Sequence, residues 1–273
     1  MSKVLVHEYN IKIKGVSPKI IYQFSDVHLN LADELSSPEE VEDTQNRIVN
    51  WHRIREKFTT RFSEPYGDDQ RLEAEEHFEN LVAEAKKDGD ALVITGDVFD
   101  HLNCAHLRFF EKRFADLGIP YVFACGNHEY VNDIPRDSAL AEIARPVQEL
   151  DLGDVLIMAL ENSQRLITRE QIDALKARLA EDKPIIVAMH VPIQAEHNEI
   201  HKTCSEYFRL NYEGCPAENL EFIDLLYKNT GKIAAILAGH LHFLNVCELA
   251  PGLTQYVSTQ GITGNINRIV IGE

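Results

Sequence analysis

The stretch ALVITGDVFD, residues 91–100, places an apolar run directly before a glycine and two aspartates. Short apolar runs that end at glycine or polar residues are typical of buried strands. Asp97 therefore follows the carboxyl end of a predicted strand. In open α/β sheets, ligands bind at such strand ends, so this position favours a binding or catalytic role for the carboxylate.

Similar apolar runs recur along the chain and predict a layered α/β fold. The predicted buried strands are Lys19–Phe24, Ala91–Thr95, Tyr121–Cys125, Asp154–Leu160, Ile185–Met189 and Ile233–Ala238. Helical patterns alternate with them at Asp69–Lys87, Ala105–Leu117, Thr168–Glu181 and Glu218–Asn229. Further strands are predicted at Leu244–Leu249, Gln255–Ser258 and Arg268–Gly272. This alternation indicates a sheet covered by helices.

Polar residues follow five of the predicted buried strands. They are Asp26 and His28, then Asp97, then Asn127 and His128, then His190, and finally His240 and His242. A single histidine is usually structural, but histidine follows four of these five strands, which favours one common site. Carboxylate, amide and imidazole ligands without cysteine suit transition metals. So many ligands predict two metals that share a carboxylate, with Asp97 as the candidate bridge.

Length and charge limit the function classes that need to be considered. The chain has 273 residues, enough for one large domain, with insertions predicted at residues 30–68 and 194–216. A formal net charge of −17 disfavours long nucleic acid as a partner. Five cysteines without a C-x-x-C pair favour free thiols in a reducing compartment, so a cytoplasmic location is expected. The apolar runs are too short to span a bilayer, so no membrane partner is expected.

Five blocks of the sequence resemble the motifs of the calcineurin-like metallophosphoesterase family. They are SDVH at 25–28, GDVFD at 96–100, GNHE at 126–129, His190, and GHLH at 239–242. The resemblance implies an α/β fold of four layers, a β-sandwich flanked by helices. It also implies two divalent or trivalent transition-metal ions, manganese, iron or zinc. One metal would take Asp26, His28, Asp97 and His242, and the other would share Asp97 and add Asn127, His190 and His240.

The same resemblance implies how a phosphoester would be cleaved. A hydroxide that bridges the metals would attack phosphorus, His128 would act as acid or charge stabiliser beside the leaving group, and Asp100 would orient His128. Ser/Thr protein phosphatases of the family carry arginines at two positions that here hold His101 and Cys125. Because arginine commonly clamps a monoester dianion, we expect the substrate to be a phosphodiester, or another small-molecule phosphate ester.

Other functions remain open on the sequence alone. A phosphomonoesterase, a nuclease and a non-catalytic metal-binding scaffold would all keep the same fold. A mononuclear metallohydrolase acting on amide or ester bonds would bind one metal per chain. Metal-dependent turnover of a chromogenic diester, together with a metal count, discriminates among these alternatives.

The two insertions are candidates for substrate selection. The first contains a predicted helix with an apolar stripe of Ile48, Trp51, Ile54, Phe58 and Phe62 and a basic remainder of Arg47, Arg53, Arg55, Lys57 and Arg61. Packing of the stripe on the core, with a solvated basic face, is favoured over a cap that binds phosphate or a nucleotide. The second insertion is a long loop after His190, and its length indicates a rim of the site.

Overall fold

Two β-sheets packed against each other form the centre of the fold. The computed structural model describes residues 4–62, 72–129, 138–199 and 204–273. The strands are β1 (Leu5–Lys12), β2 (Lys19–Phe24), β3 (Ala91–Ile94), β4 (Tyr121–Phe123), β5 (Val147–Asp151), β6 (Leu156–Leu160), β7 (Ile185–Ala188), β8 (Ile233–Ala238), β9 (Asn245–Ala250), β10 (Leu253–Val257) and β11 (Asn265–Gly272). The first sheet has the order β1-β11-β2-β3-β4, and the second has the order β5-β6-β7-β8-β10-β9.

Helices cover the outer faces of both sheets. The described helices are α1 (Pro38–Phe62), α2 (Ala74–Ala85), α3 (Cys104–Phe114), α4 (Ala139–Ile143), α5 (Arg169–Leu179) and α6 (Ala217–Lys228), with 3-10 turns at Glu206–Phe208 and Gly261–Thr263. Alternate side chains of each strand point to opposite faces, so each sheet contributes to two cores. Ile21 and Val93 of the first sheet meet Ile186 of the second between the sheets. Phe24 and Ile94 instead pack outward with side chains of α2 and α3.

The outer face of the second sheet is closed in the same way by α5 and α6. Burial of one aliphatic side chain of this kind stabilises a fold by about 1.5 to 3 kcal/mol. The layers are therefore helix, sheet, sheet and helix. The prediction of a four-layer α/β fold, a β-sandwich flanked by helices, is confirmed.

Parallel pairing brings the strand ends that carry polar residues to shared edges. In the first sheet, β2 pairs in parallel with β3, and β3 pairs in parallel with β4. In the second sheet, β6, β7 and β8 are likewise consecutive parallel strands. Neighbouring parallel strands end at the same edge, so the residues that follow them begin close together.

Gln23, one residue before the end of β2, connects the two sheets close to those strand ends. Its Nε2 donates to the carbonyl of Ala238, the last residue of β8, at 2.8 Å and to Thr95 Oγ1 at 3.2 Å. Its Oε1 accepts from Asn267 Nδ2 of β11 at 3.0 Å. Because Gln23 is fully buried, these bonds replace water completely and fix how the two edges meet.

The sequence patterns miss two strands, β1 and β5. Both lie at the edge of a sheet, and most of their residues are only partly buried, so neither has the unbroken apolar run of a central strand. The predicted start of α2 at Asp69 lies outside the described residues, and the helix is described from Ala74. The helix in the first insertion begins at Pro38, ten residues before the first residue of its apolar stripe, Ile48.

Within the described ranges, no helix combines the length and the apolar character needed to cross a bilayer. The five cysteines, all of which lie in those ranges, form no disulfide.

Candidate metal centre

Backbone hydrogen bonds hold the loops after β2 and β3 side by side. The N–H groups of Asp26 and His28 donate to the carbonyls of Gly96 and Asp97, at 2.9 and 3.0 Å. The next residue along, Leu29, continues this pairing. The side chains of Asp26 and Asp97 are therefore held at neighbouring positions of the same edge.

A first cluster of side-chain atoms forms around Asp26. Its Oδ1 lies 3.1 Å from His242 Nε2 and 3.9 Å from His28 Nε2, and the two histidine nitrogens are 3.1 Å apart. Asp97 contributes a ligand atom within 4.8 Å of the others. All four residues are buried, with His242 the most exposed at 8%. The structure thus brings together the four residues predicted for one metal.

A second cluster forms around His190 Nε2. Asn127 Oδ1 lies 3.1 Å from this nitrogen, His240 Nδ1 lies 3.0 Å from it, and Asp97 Oδ2 lies 3.3 Å from it. The other ring nitrogen, Nδ1 of His190, contacts the carbonyl of Thr95 at 2.7 Å. A carbonyl can only accept, so that contact places the proton on Nδ1 and leaves the Nε2 lone pair facing the cluster. The four residues predicted for the second metal are thus together as well.

The donor atoms of these clusters fit a pair of cations. In each cluster two imidazole nitrogens lie about 3 Å apart, close enough for both to bind one ion. Asp26 Oδ1 is buried and makes no hydrogen bond, which is costly for a carboxylate oxygen unless a cation neutralises it. Atoms bound about 2.0 to 2.2 Å from one ion lie roughly 3 Å from each other, which is the spacing found here.

The carboxylate of Asp97 is oriented so that it reaches both clusters. The backbone N–H of His128 donates to its Oδ1 at 2.9 Å, while its Oδ2 faces His190. A side chain at position 126 would collide with Asp97 Oδ1, so only glycine fits at this position. The carboxylate can therefore approach the second cluster with one oxygen without leaving the first.

His128 lies beside the two clusters and is held by Asp100. Its Nδ1 is 2.9 Å from both the side-chain Oδ1 and the backbone carbonyl of Asp100, and its Nε2 is 4.0 Å from Asp97 Oδ2. Burial alone would lower the pKa of His128, but the hydrogen bond to Asp100 and the charge of Asp97 outweigh it and raise the pKa to about 10. The arrangement keeps a proton on this imidazole.

Sequence comparison assigns these motifs to a family. The sequence model of calcineurin-like phosphoesterases matches residues 20–244. The chain belongs to this family. Its members are metal-dependent phosphoric ester hydrolases that use two divalent metal ions, and the two clusters sharing Asp97 agree with that number.

Solved structures support the fold of this phosphoesterase. A dimetal phosphatase from Danio rerio is similar with a TM-score of 0.51 and 11% identity, over 90% of this chain and 88% of that chain. The protein TT1561 of Thermus thermophilus is similar with a TM-score of 0.50 and 13% identity, over 90% and 91% of the two chains. A search of curated proteins finds no match.

Charges within the phosphoesterase site favour bound positive charge. Burial raises the pKa of Asp97, but the facing imidazoles dominate and hold it well below its usual value. Burial lowers the pKa of His190, yet Asp97 raises it to about 9. Burial, assisted by neighbouring imidazoles, lowers the pKa of His28 and brings that of His240 to about 3. Asp97 therefore favours positive charge beside His190, where a proton and a metal ion compete, whereas His28 and His240 stay neutral, the form that binds metal.

Backbone strain is concentrated at the ligand candidates. Positive φ angles between 51° and 72° occur at five of them, namely Asp26, His28, Asp97, His240 and His242. A side-chain-bearing residue in this region costs about 1 kcal/mol or more, so packing elsewhere must hold it there. Strain of this kind is typical of functional sites.

The helix of the first insertion, α1, packs on the site itself. Trp51 is buried and stacks on the ring of His28, with centroids 3.6 Å apart and planes 18° apart. Arg47 Nη1 donates to Asp100 Oδ2 at 3.2 Å. The expectation that the stripe packs inward therefore holds for Trp51, although its partner is a ligand candidate. The expectation of a fully solvated basic face is wrong at Arg55, which is buried and donates to the carbonyl of Leu72.

The remaining members of that stripe and the second insertion are only partly described. The side chains of Phe58 and Phe62 lie outside the described residues. In the second insertion, the rings of Tyr207 and Phe208 lie 5.6 and 5.0 Å from that of His240. The loop therefore borders the second cluster, as a rim would. His101, at one of the positions where the protein phosphatases carry arginine, is exposed.

Glu129 is a structural residue of the site to which the sequence analysis gives no role. It is fully buried, and its two oxygens accept from the N–H groups of Asp97, Phe99 and Gly126 at 2.7 to 2.8 Å. Burial and the charge of Asp97 raise its pKa to about 7. The sequence feature that indicates a role for Glu129 is its position as the last residue of the GNHE block. Glu129 ties the two loops that carry Asp97 and Asn127.

Replacement of Glu129 by glutamine should destabilise the protein. The amide NH₂ would face a backbone N–H group, leaving buried donors unpaired at a cost of about 2 to 4 kcal/mol. Urea unfolding of Glu129→Gln should show this loss, whereas Glu111→Gln on the exposed surface of α3 should unfold like the unaltered protein. Equal unfolding free energies for both variants would contradict the role given to Glu129.

Proposed function

We propose that this phosphoesterase hydrolyses phosphodiester bonds of small molecules, with two transition-metal ions held by the two clusters. The observation that carries the proposal is the shared Asp97 carboxylate between two groups of buried nitrogen and oxygen atoms, with His128 beside them. Asp26, His28, Asp97 and His242 would hold one ion. Asp97, Asn127, His190 and His240 would hold the other.

The ligand types support manganese, iron or zinc. Each shell combines imidazole nitrogens with carboxylate or amide oxygens and contains no thiolate. When bound, such a pair supplies a nucleophilic hydroxide at neutral pH and neutralises charge on the phosphoryl oxygens. Asp26 and Asp97 set the net charge of the centre, and their burial strengthens its electrostatic effect on an anionic substrate.

His128 is proposed to assist departure of the leaving group. Asp100 holds its Nδ1 side, so the Nε2 side faces the clusters. The imidazole is about one third exposed, so a substrate can reach it. An imidazole kept protonated at Nε2 can donate to, or stabilise charge on, the departing oxygen.

A phosphodiester is preferred over a monoester because of where the arginines lie. Arg47 donates to Asp100, the partner of His128, and its charge is already engaged by Asp100 and by Asp43, at 3.2 and 2.7 Å. The positions where related protein phosphatases have arginine hold His101 and the buried Cys125. These two positions therefore offer no arginine to clamp a monoester dianion, whereas a diester carries one negative charge and needs the clamp less.

The substrate preference can be measured with two chromogenic esters. With added manganese, kcat/KM for bis(p-nitrophenyl) phosphate should exceed that for p-nitrophenyl phosphate. Equal or greater efficiency with the monoester would overturn the diester preference and favour a phosphomonoesterase. Turnover of neither ester by protein that has bound two metals would favour a scaffold.

Loss of the shared carboxylate should be visible without any activity assay. Asp97→Asn removes the charge that both ions share, so the metal content after manganese loading and gel filtration should fall from two per chain to one or fewer. Asp116→Asn, at an exposed position after α3, should retain two. Retention of two ions by Asp97→Asn would exclude Asp97 as the bridge.

Substitution of Asp100 should separate turnover from metal binding. Asp100→Asn keeps a hydrogen-bond acceptor for His128 but removes the charge that favours the protonated imidazole, so kcat should fall about 10²- to 10⁴-fold. Metal content should remain at two per chain, because Asp100 belongs to neither proposed shell. If the variant loses metal in proportion to activity, Asp100 acts through the metal centre and not through His128.

A further inference from the structure

One arginine shares the unusual backbone geometry of the ligand candidates. In the described parts of the chain, six non-glycine residues have a positive φ angle. Five are the ligand candidates already named, and the sixth is Arg165, with a φ of 59°. Because such strain persists only where the surroundings hold it, the contacts around Arg165 must stabilise its backbone conformation.

The loop that carries Arg165 is fastened to the second cluster. It follows β6, whose end lies beside that of β7, the strand that leads to His190. Asn162 Oδ1 accepts from the backbone N–H groups of His190 and Val191 at 3.0 and 2.9 Å. On the other side, Asn219 Nδ2 donates to the carbonyl of Arg165 at 2.8 Å. Arg165 is therefore fixed relative to the metal centre.

Aromatic rings cover the faces of the Arg165 guanidinium, while its N–H groups are almost unused. The central carbon lies 4.4 Å from the ring centroid of Tyr212 and 5.2 Å from that of Tyr207. Its hydrogen bond to the carbonyl of Glu206 is long, at 3.4 Å. No carboxylate of the described residues forms an ion pair with it, although the chain carries a charge of −17. Donors along the guanidinium edge are available to a ligand.

Tyr207 connects this arginine to the metal centre. Its ring lies 5.6 Å from the ring of His240, and the residue is 48% exposed. A large aromatic side chain exposed beside a metal ligand offers a flat surface to whatever occupies the site. The order of groups from the second cluster outward is His240, Tyr207 and Arg165.

We infer that Tyr207 and Arg165 bind the nucleoside part of a nucleotide ester, with the base stacked on Tyr207 and hydrogen-bonded by Arg165. The inference rests on the proposed phosphodiesterase function and names its substrate class. A base has a π face that stacks on an aromatic ring and edge acceptors that match arginine donors. A second anionic group would use the charge of Arg165 but not the exposed ring.

Two diesters with the same leaving group test this inference. Thymidine 5′-(p-nitrophenyl phosphate) and methyl p-nitrophenyl phosphate both release p-nitrophenol, so the ratio of their kcat/KM values measures recognition of the nucleoside alone. The ratio should be at least about tenfold in the unaltered enzyme. Tyr207→Ala should lower this ratio about tenfold, and Tyr207→Phe should restore it.

The arginine is tested with a matched neighbour. Arg165→Gln should lower the ratio, whereas Arg169→Gln, which removes an exposed arginine paired with Glu221 on α6, should not. A ratio near one in the unaltered enzyme overturns the inference while leaving phosphodiester hydrolysis intact. Equal losses for both esters in Tyr207→Ala overturn it too, because the ring then serves only to pack His240. If neither ester is hydrolysed by the unaltered enzyme, the proposed function fails, and this inference fails with it.

Discussion

The carboxylate of Asp97 lies between two groups of buried imidazole, amide and carboxylate atoms and belongs to both. Neighbouring imidazoles hold the pKa of Asp97 well below its usual value, and the N–H of His128 fixes the position of the carboxylate. Without cations, the first cluster would hold the unbonded oxygen of Asp26 out of water. With two cations, the same atoms become ligands, so the site is complementary to bound metal.

Rigid layers make this arrangement possible. Parallel strands deliver Asp26 and Asp97 to one edge, and Gln23 ties that edge to the end of β8, beyond which His240 lies. Glu129 fastens the loops after β3 and β4 with three hydrogen bonds. The hydrophobic cores on both faces of each sheet hold the ligand candidates in their strained, left-handed backbone conformation. The stability of the sandwich thus maintains a polar site that would otherwise relax.

Central strands and strand-end residues were predictable because burial on both faces leaves a clear apolar run followed by polar residues. The ligand candidates Asp26, Asp97 and His190 belong to that pattern. Edge strands β1 and β5 were not predictable, because partial exposure removes the signal. The resemblance to a family adds the pairing of His128 with Asp100, which no periodicity could reveal.

Contacts between segments that are distant in the sequence were not predictable either. An apolar stripe shows that Trp51 is buried, but only the docking of α1 shows that it stacks on His28. Arg165 follows a strand that had been predicted, yet its left-handed backbone and its two tyrosine neighbours depend on loops distant in sequence. Roles that depend on contacts between distant segments can therefore be recognised only in the structure, whereas residues that directly follow a strand can be predicted from the sequence.

Anomalous diffraction from a manganese-loaded crystal tests the central claim most directly. Two anomalous peaks about 3.5 to 4 Å apart should appear, with the Asp97 carboxylate between them. A single peak, or peaks far from Asp97 in a fully loaded crystal, would contradict it.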